Sequence, residues 1–250
     1  MRKFLPLIIV AVGILVLVGG FLFIRSRRTS QETEEDSGSL IDVPLEKRPV
    51  ASLTPSDDGH WLKLVIEKIM IEGAESLDYE LLYSLPDGRT QGVPGSIELK
   101  GSSSLERELL LGSESSGKFR YDEGVEEGTL TLRFRNEKGK LIAKFSTKFR
   151  LQAGGAELTS LDGKLKITLA KASKAFFVTM ETFGIPDSAP SGVTSGPYGV
   201  FSSLEGPLTA NVKIGSDKVY RHITGPRWEV HEDGDDLLDS DSGVFIGSSQ

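Results

Sequence analysis

The sequence predicts a mainly β protein carried on one membrane-spanning helix. Three observations predict it. Residues 4–24 form a run without a single charge, bracketed by Arg2-Lys3 and by Arg25-Ser26-Arg27-Arg28. From Trp61 onward the apolar residues recur with period two, the spacing of strands rather than helices. Turn-forming clusters of Gly, Pro, Asp and Asn punctuate these runs about every 8–12 residues, the mark of sandwiches and barrels.

A helix over residues 4–24 would span about 31 Å at ~1.5 Å per residue, which matches the hydrocarbon core of a bilayer. The run is longer than the apolar region of a cleaved signal peptide, roughly 7–15 residues, and lacks a small-residue cleavage site. Val18-Gly19-Gly20-Phe21-Leu22-Phe23-Ile24 ends in large residues. The reading is therefore a retained signal anchor in a single-pass membrane protein. The basic N-terminus followed directly by an apolar stretch is the layout of an export signal, which places the following domain outside the cytoplasm. Arg25, Arg27 and Arg28 argue the other way under the positive-inside rule, but long domains translocate largely regardless of charge.

Residues 29–59 read as a disordered acidic and Pro-containing linker. Glu32, Glu34, Glu35 and Asp36 are followed by Pro44, Pro49 and Pro55, with few large apolar side chains to offset the entropy of ordering.

Residues 60–153 read as a β-sandwich domain. Tyr79, Leu81, Tyr83 and Leu85 alternate up to a turn at Pro86-Asp87-Gly88. Leu130, Leu132 and Phe134 lead through Asn136-Glu137-Lys138-Gly139 into Leu141, Ala143, Phe145, Thr147, Phe149 and Leu151. The opposite face of that second strand is Ile142, Lys144, Ser146, Lys148 and Arg150, so the pair is a hairpin with one apolar and one charged face. Further strands at residues 61–71, 97–100, 105–111 and 118–121 complete an immunoglobulin-like set.

Ala153-Gly154-Gly155-Ala156 interrupts the pattern and is the expected domain boundary. Residues 154–250 then read as a second β-rich domain with an acidic C-terminal loop. Its strands are expected around Leu165, Ile167 and Leu169, over residues 175–183 and 198–201, from Leu208 to Ile214, and at residues 244–246. The fold class is thus an N-terminal transmembrane helix, a linker and two consecutive immunoglobulin-like β-sandwich units, with one larger sandwich as the alternative.

No motif supports catalysis. Gly112-Ser113-Glu114-Ser115-Ser116-Gly117-Lys118-Phe119 approaches a phosphate-binding loop, but Phe119 stands where a hydroxyl must bind magnesium and no helix follows. A hairpin loop is the better reading. Ser115 and Lys118 have the spacing of a serine acyl enzyme, without the partner motifs such an enzyme needs. His60, His222 and His231 lack zinc spacing, and the absence of cysteine removes thiolate ligands and cysteine nucleophiles. Trp61 and Trp228 read as core or rim packing.

The acidic tail carries Glu229, Glu232, Asp233, Asp235, Asp236, Asp239 and Asp241. Asp239-Ser240-Asp241-Ser242-Gly243 resembles the opening of a calcium loop, with Asp235, Asp239 and Asp241 as candidate ligands. Its glycine comes one place early, however, and Gln250 stands where a bidentate Glu belongs. A solvated acidic loop is the plain alternative, and no cofactor is expected.

The whole chain carries −7. Residues 1–28 hold five basic and no acidic side chains, which leaves −12 for the remainder. Such a surface excludes nucleic acid as a partner. The expected function is a non-enzymatic binding or scaffolding role in the cell envelope, with the bilayer as one partner through residues 4–24 and an envelope protein or glycan as another. The alternatives are a carbohydrate-active hydrolase, with Asp235 and Asp239 as acid and base, and a calcium-stabilised adhesion module.

Overall fold

The structure, a computed structural model, describes residues 40–206, 208–223, 227–232, 236–240 and 243–249. The expected anchor at residues 4–24 and the linker up to residue 39 lie outside the described residues. Among the described residues, no helix is long and apolar enough to cross a membrane. The fold is mainly β, with large antiparallel sheets.

Strands β1 (Val50–Pro55), β2 (Trp61–Glu67) and β5 (Leu105–Leu110) form a three-stranded sheet in the order β1-β2-β5. It covers one face of a second sheet containing β3 (Ser76–Ser84), β4 (Thr90–Glu98), β8 (Glu127–Arg135), β9 (Leu141–Thr159) and β10 (Lys166–Glu181), in the order β4-β3-β8-β9-β10. The apolar faces predicted for the central hairpin meet here. Leu130, Leu132 and Phe134 of β8 and Ala143, Phe149 and Leu151 of β9 pack with Leu53, Leu62, Leu64 and Ile66 in the first core. The opposite face is charged: Arg133 pairs with Glu80, and Arg135 with Asp78. β6 (Gly112–Ser115) and β7 (Lys118–Tyr121) form a separate two-stranded hairpin.

Two expectations are corrected in this region. The linker reading of residues 29–59 fails for its last part, because Val50–Pro55 is a strand paired along its whole length with β2. Ala51 and Leu53 are completely buried, and Val43 belongs to the same core. Small apolar residues framed by Pro49 and Pro55 are enough, since each second side chain of a strand lands in the core. Even Ile41 is tied down, its amide donating to the carbonyl of Ile142 at 2.9 Å. The expected boundary at residues 153 and 154 falls inside β9, which runs unbroken from Leu141 to Thr159.

What happens at the glycines is a bend. Gly154 and Gly155 have φ of +67° and +96°, and β10 spends extra residues between its pairings Thr168–Glu157, Ser173–Gly155 and Phe176–Ala153. Unequal spending of this kind is a bulge, and bulges bend a strand pair. The distal half of the hairpin returns over the proximal half. Thr159 donates its amide to Gln152 and accepts the hydroxyl of Thr179 on its carbonyl, while the Arg150 guanidinium donates to the Thr159 hydroxyl.

The second core fills the fold of this bend. β11 (Val193–Ser202), β12 (Leu208–Lys213), β13 (Lys218–Ile223), β14 (Arg227–Glu232), β15 (Asp236–Ser240) and β16 (Gly243–Ser248) complete it. β12 adds to the returning half of β10 and β15 adds to β12, while β11, β16, β13 and β14 extend the other half of β10 in that order. Leu158, Leu165, Ile167 and Leu169 of the returning hairpin pack with Phe177, Tyr198, Val200 and Phe245. Adjacent residues of β10 face different cores: Val178 and Met180 the first, Phe177 the second. The acidic C-terminal loop is corrected in turn, since Glu229 and Glu232 lie on β14 and residues 236–240 form β15.

Candidate binding site

Two clefts open on this frame. The larger, about 700 Å³, lies where the charged face of the first sandwich runs under the returning hairpin. Leu82, Thr129 and Lys148 line it in one cross-strand row, with Glu181 and Tyr198 in another. Asp162, on the turn at the hairpin tip, accepts hydrogen bonds from the hydroxyls of Ser160 and Tyr198. Burial works to raise the Asp162 carboxyl, but these bonds outweigh it and hold it below the usual value. Burial and the Asp162 carboxylate push the Tyr198 phenol up, so it stays protonated. The carboxylate is thus fully engaged in fixing the turn.

The second cleft, about 640 Å³, sits at the end of the first sandwich remote from Ile41. Ile142, which holds Ile41, and Gln152, which lines the cleft, lie ten residues apart on β9, roughly 33 Å at ~3.3 Å per residue. The β1–β2 turn supplies Asp58 and His60, the segment after β7 supplies Asp122, Glu123 and Glu126, and β9 supplies Arg150 and Gln152. The Ser56 hydroxyl and the His60 amide donate to Asp58 and hold its carboxyl low. Asp122 accepts the Tyr83 hydroxyl at 2.8 Å, and burial followed by that bond pushes the phenol up.

At the rim stands a strip of aromatic rings. His60 stacks on Tyr121 with ring centres 4.3 Å apart and planes 11° from parallel. Tyr121 and Phe119 are likewise nearly parallel at 6.2 Å, and Trp61 meets Phe119 edge-on. Phe119 remains 46% and Tyr121 38% exposed. Aromatic surface is thus left half open beside a charged cleft, where rings can supply contact area at low entropic cost.

The residues singled out from the sequence fall as follows. The segment from Gly112 to Phe119 is a hairpin with left-handed Ser116 and Gly117 at its turn, and Ser115 and Lys118 are cross-strand neighbours on its exposed surface. His222 accepts or donates one hydrogen bond with Asp187 at 2.7 Å and meets Trp228 edge-on, while Trp228 donates to the Ser188 carbonyl. His231 lies 3.8 Å from Glu229, which also pairs with Arg221. Asp239 lies on β15, whereas Asp235 and Asp241 fall outside the described residues. Among the described residues no three His, Asp or Glu side chains converge as a metal site. Sequence reasoning missed the aromatic strip, because His60 and Tyr121 meet only through the fold. The alternation of Phe119 and Tyr121 in a short polar strand is the one signal that pointed to it.

No protein-family model matches the chain, and comparison with curated proteins finds no relative.

Proposed function

We propose that this chain is a membrane-anchored, extracytoplasmic β-sandwich protein, its two apolar cores joined by shared strands, with a non-enzymatic binding role in the cell envelope. The observation that carries the binding role is the pair of half-exposed rings, Phe119 and Tyr121, with Tyr121 stacked on His60, at the rim of the acidic cleft. It is a contact surface of stacked rings beside carboxylates, and a protein or glycan of the envelope is the partner that reading implies. The anchor at residues 4–24 supports the membrane location, through its length and its basic flanks.

Protease shaving of intact cells tests the placement. External protease is expected to cut between residues 25 and 40, ahead of the first described residue, and to release the folded portion without lysis. Complete protection of the chain in intact cells, with cleavage after lysis, overturns the extracytoplasmic reading.

A further inference from the structure

We propose that the aromatic strip and the cleft beside it bind a basic segment of a partner polypeptide, whose lysine or arginine side chains lie against Tyr121 and Phe119. This rests on the binding role above and names its ligand class. The β6–β7 hairpin sorts its charges by face. Glu114 is the cross-strand partner of Phe119, so Glu114, Phe119 and Tyr121 share one face, while Lys118 and Arg120 alternate onto the other. The ring-bearing face therefore holds a carboxylate and no cation of its hairpin.

The far end of the strip continues in the same sign. Glu123 lies 3.9 Å from the His60 ring nitrogen, and Asp58, Asp122 and Glu126 line the cleft behind it. Arg150 is the opposing permanent charge in that lining, and its guanidinium is directed to the Thr159 hydroxyl. A guanidinium or ammonium is drawn to an aromatic face by the ring quadrupole and to carboxylates by charge, and this surface offers both side by side. A neutral sugar would use the rings but gain nothing from the sorting of charge. The chain's own Arg25, Arg27 and Arg28 directly follow the expected anchor, which holds them at the bilayer surface. The occupant proposed is accordingly a segment of another polypeptide.

The test uses the full chain in nanodiscs of zwitterionic phosphatidylcholine, with fluorescence anisotropy of a labelled octa-arginine peptide and, in parallel, binding of cellohexaose. The expected result is salt-dependent peptide binding that Phe119→Ala with Tyr121→Ala weakens about tenfold without any change of charge. Phe119→Leu with Tyr121→Leu, which keeps apolar bulk and removes the aromatic faces, is expected to weaken it similarly with an unchanged melting temperature. Glu114→Gln with Glu123→Gln should reduce the salt dependence, and Lys118→Ala with Arg120→Ala should leave binding intact. Peptide binding indifferent to the ring substitutions is general attraction to an acidic protein and overturns the proposal. Cellohexaose binding that needs the rings, without peptide binding, overturns the cationic ligand and leaves the binding role standing. Indifference of both ligands to the rings overturns the two together.

Discussion

The two apolar cores lie on opposite faces of shared strands and are closed by different means. The first is a meeting of two sheets, β1-β2-β5 against β4-β3-β8-β9-β10, with short turns joining β1 to β2, β3 to β4 and β8 to β9. The second is closed by a hairpin that bends at Gly154 and Gly155 and returns over itself, together with β11, β12, β13 and β16. β10 serves both, with Phe177, Val178, Thr179 and Met180 all buried in succession. A strand buried on both faces couples what is packed against either side, so two cores need not be two independent units of stability.

The largest expected effect tests that coupling. Phe134→Ala empties the first core and Phe177→Ala the second, and each should cost about 3–5 kcal/mol. Scanning calorimetry should show one transition moving down as a whole in both variants. A second transition left at the parent temperature in Phe134→Ala would separate the cores.

A smaller effect belongs to the second core alone. An added Cβ at Gly155 meets nothing within 4 Å, so Gly155→Ala isolates the cost of the left-handed backbone, about 1–2 kcal/mol. Denaturant unfolding measures it, and an unchanged midpoint would show that the bend does not depend on this conformation.

The smallest concerns the tip of the returning hairpin. The Asp162 carboxyl titrates below its ordinary value of 3.8 in the folded protein, so its bonds to Ser160 and Tyr198 stabilise the fold above that value. The contribution is lost as pH falls through the lower folded value. Asp162→Asn should therefore cost about 1 kcal/mol at pH 7, and the gap to the parent should close in acid. Melting curves at pH 7 and pH 3 check this, and a gap that does not narrow between the two would assign the loss to altered packing.

The contrast between the cores also explains what could be read from the chain. Strands β8 and β9 were legible because they have one wet and one dry face, which writes a period of two into Leu130–Phe134 and Leu141–Leu151. β1 was not, because Ala51 and Leu53 carry little apolar signal between two prolines. β14 and β15 were hidden by their own charge: Glu229 and Glu232 are exposed on a sheet edge, where acidic side chains cost nothing. Gly154 and Gly155 read as a domain boundary, because a bend within a strand and a break between strands share the same residues. The candidate site depends on His60 lying against Tyr121, a contact between distant parts of the chain that no local pattern encodes.

The amide of Ile41 on Ile142 has a consequence for reach. Residues 25–40 could extend no more than about 55 Å at ~3.5 Å per residue. A chain held by residues 4–24 would thus be leashed at one end of the first sandwich, with the acidic cleft at the other, roughly 33 Å along β9. Leash and fold together would let the cleft sweep a shell several tens of ångströms deep, with its open mouth at the end the leash does not hold.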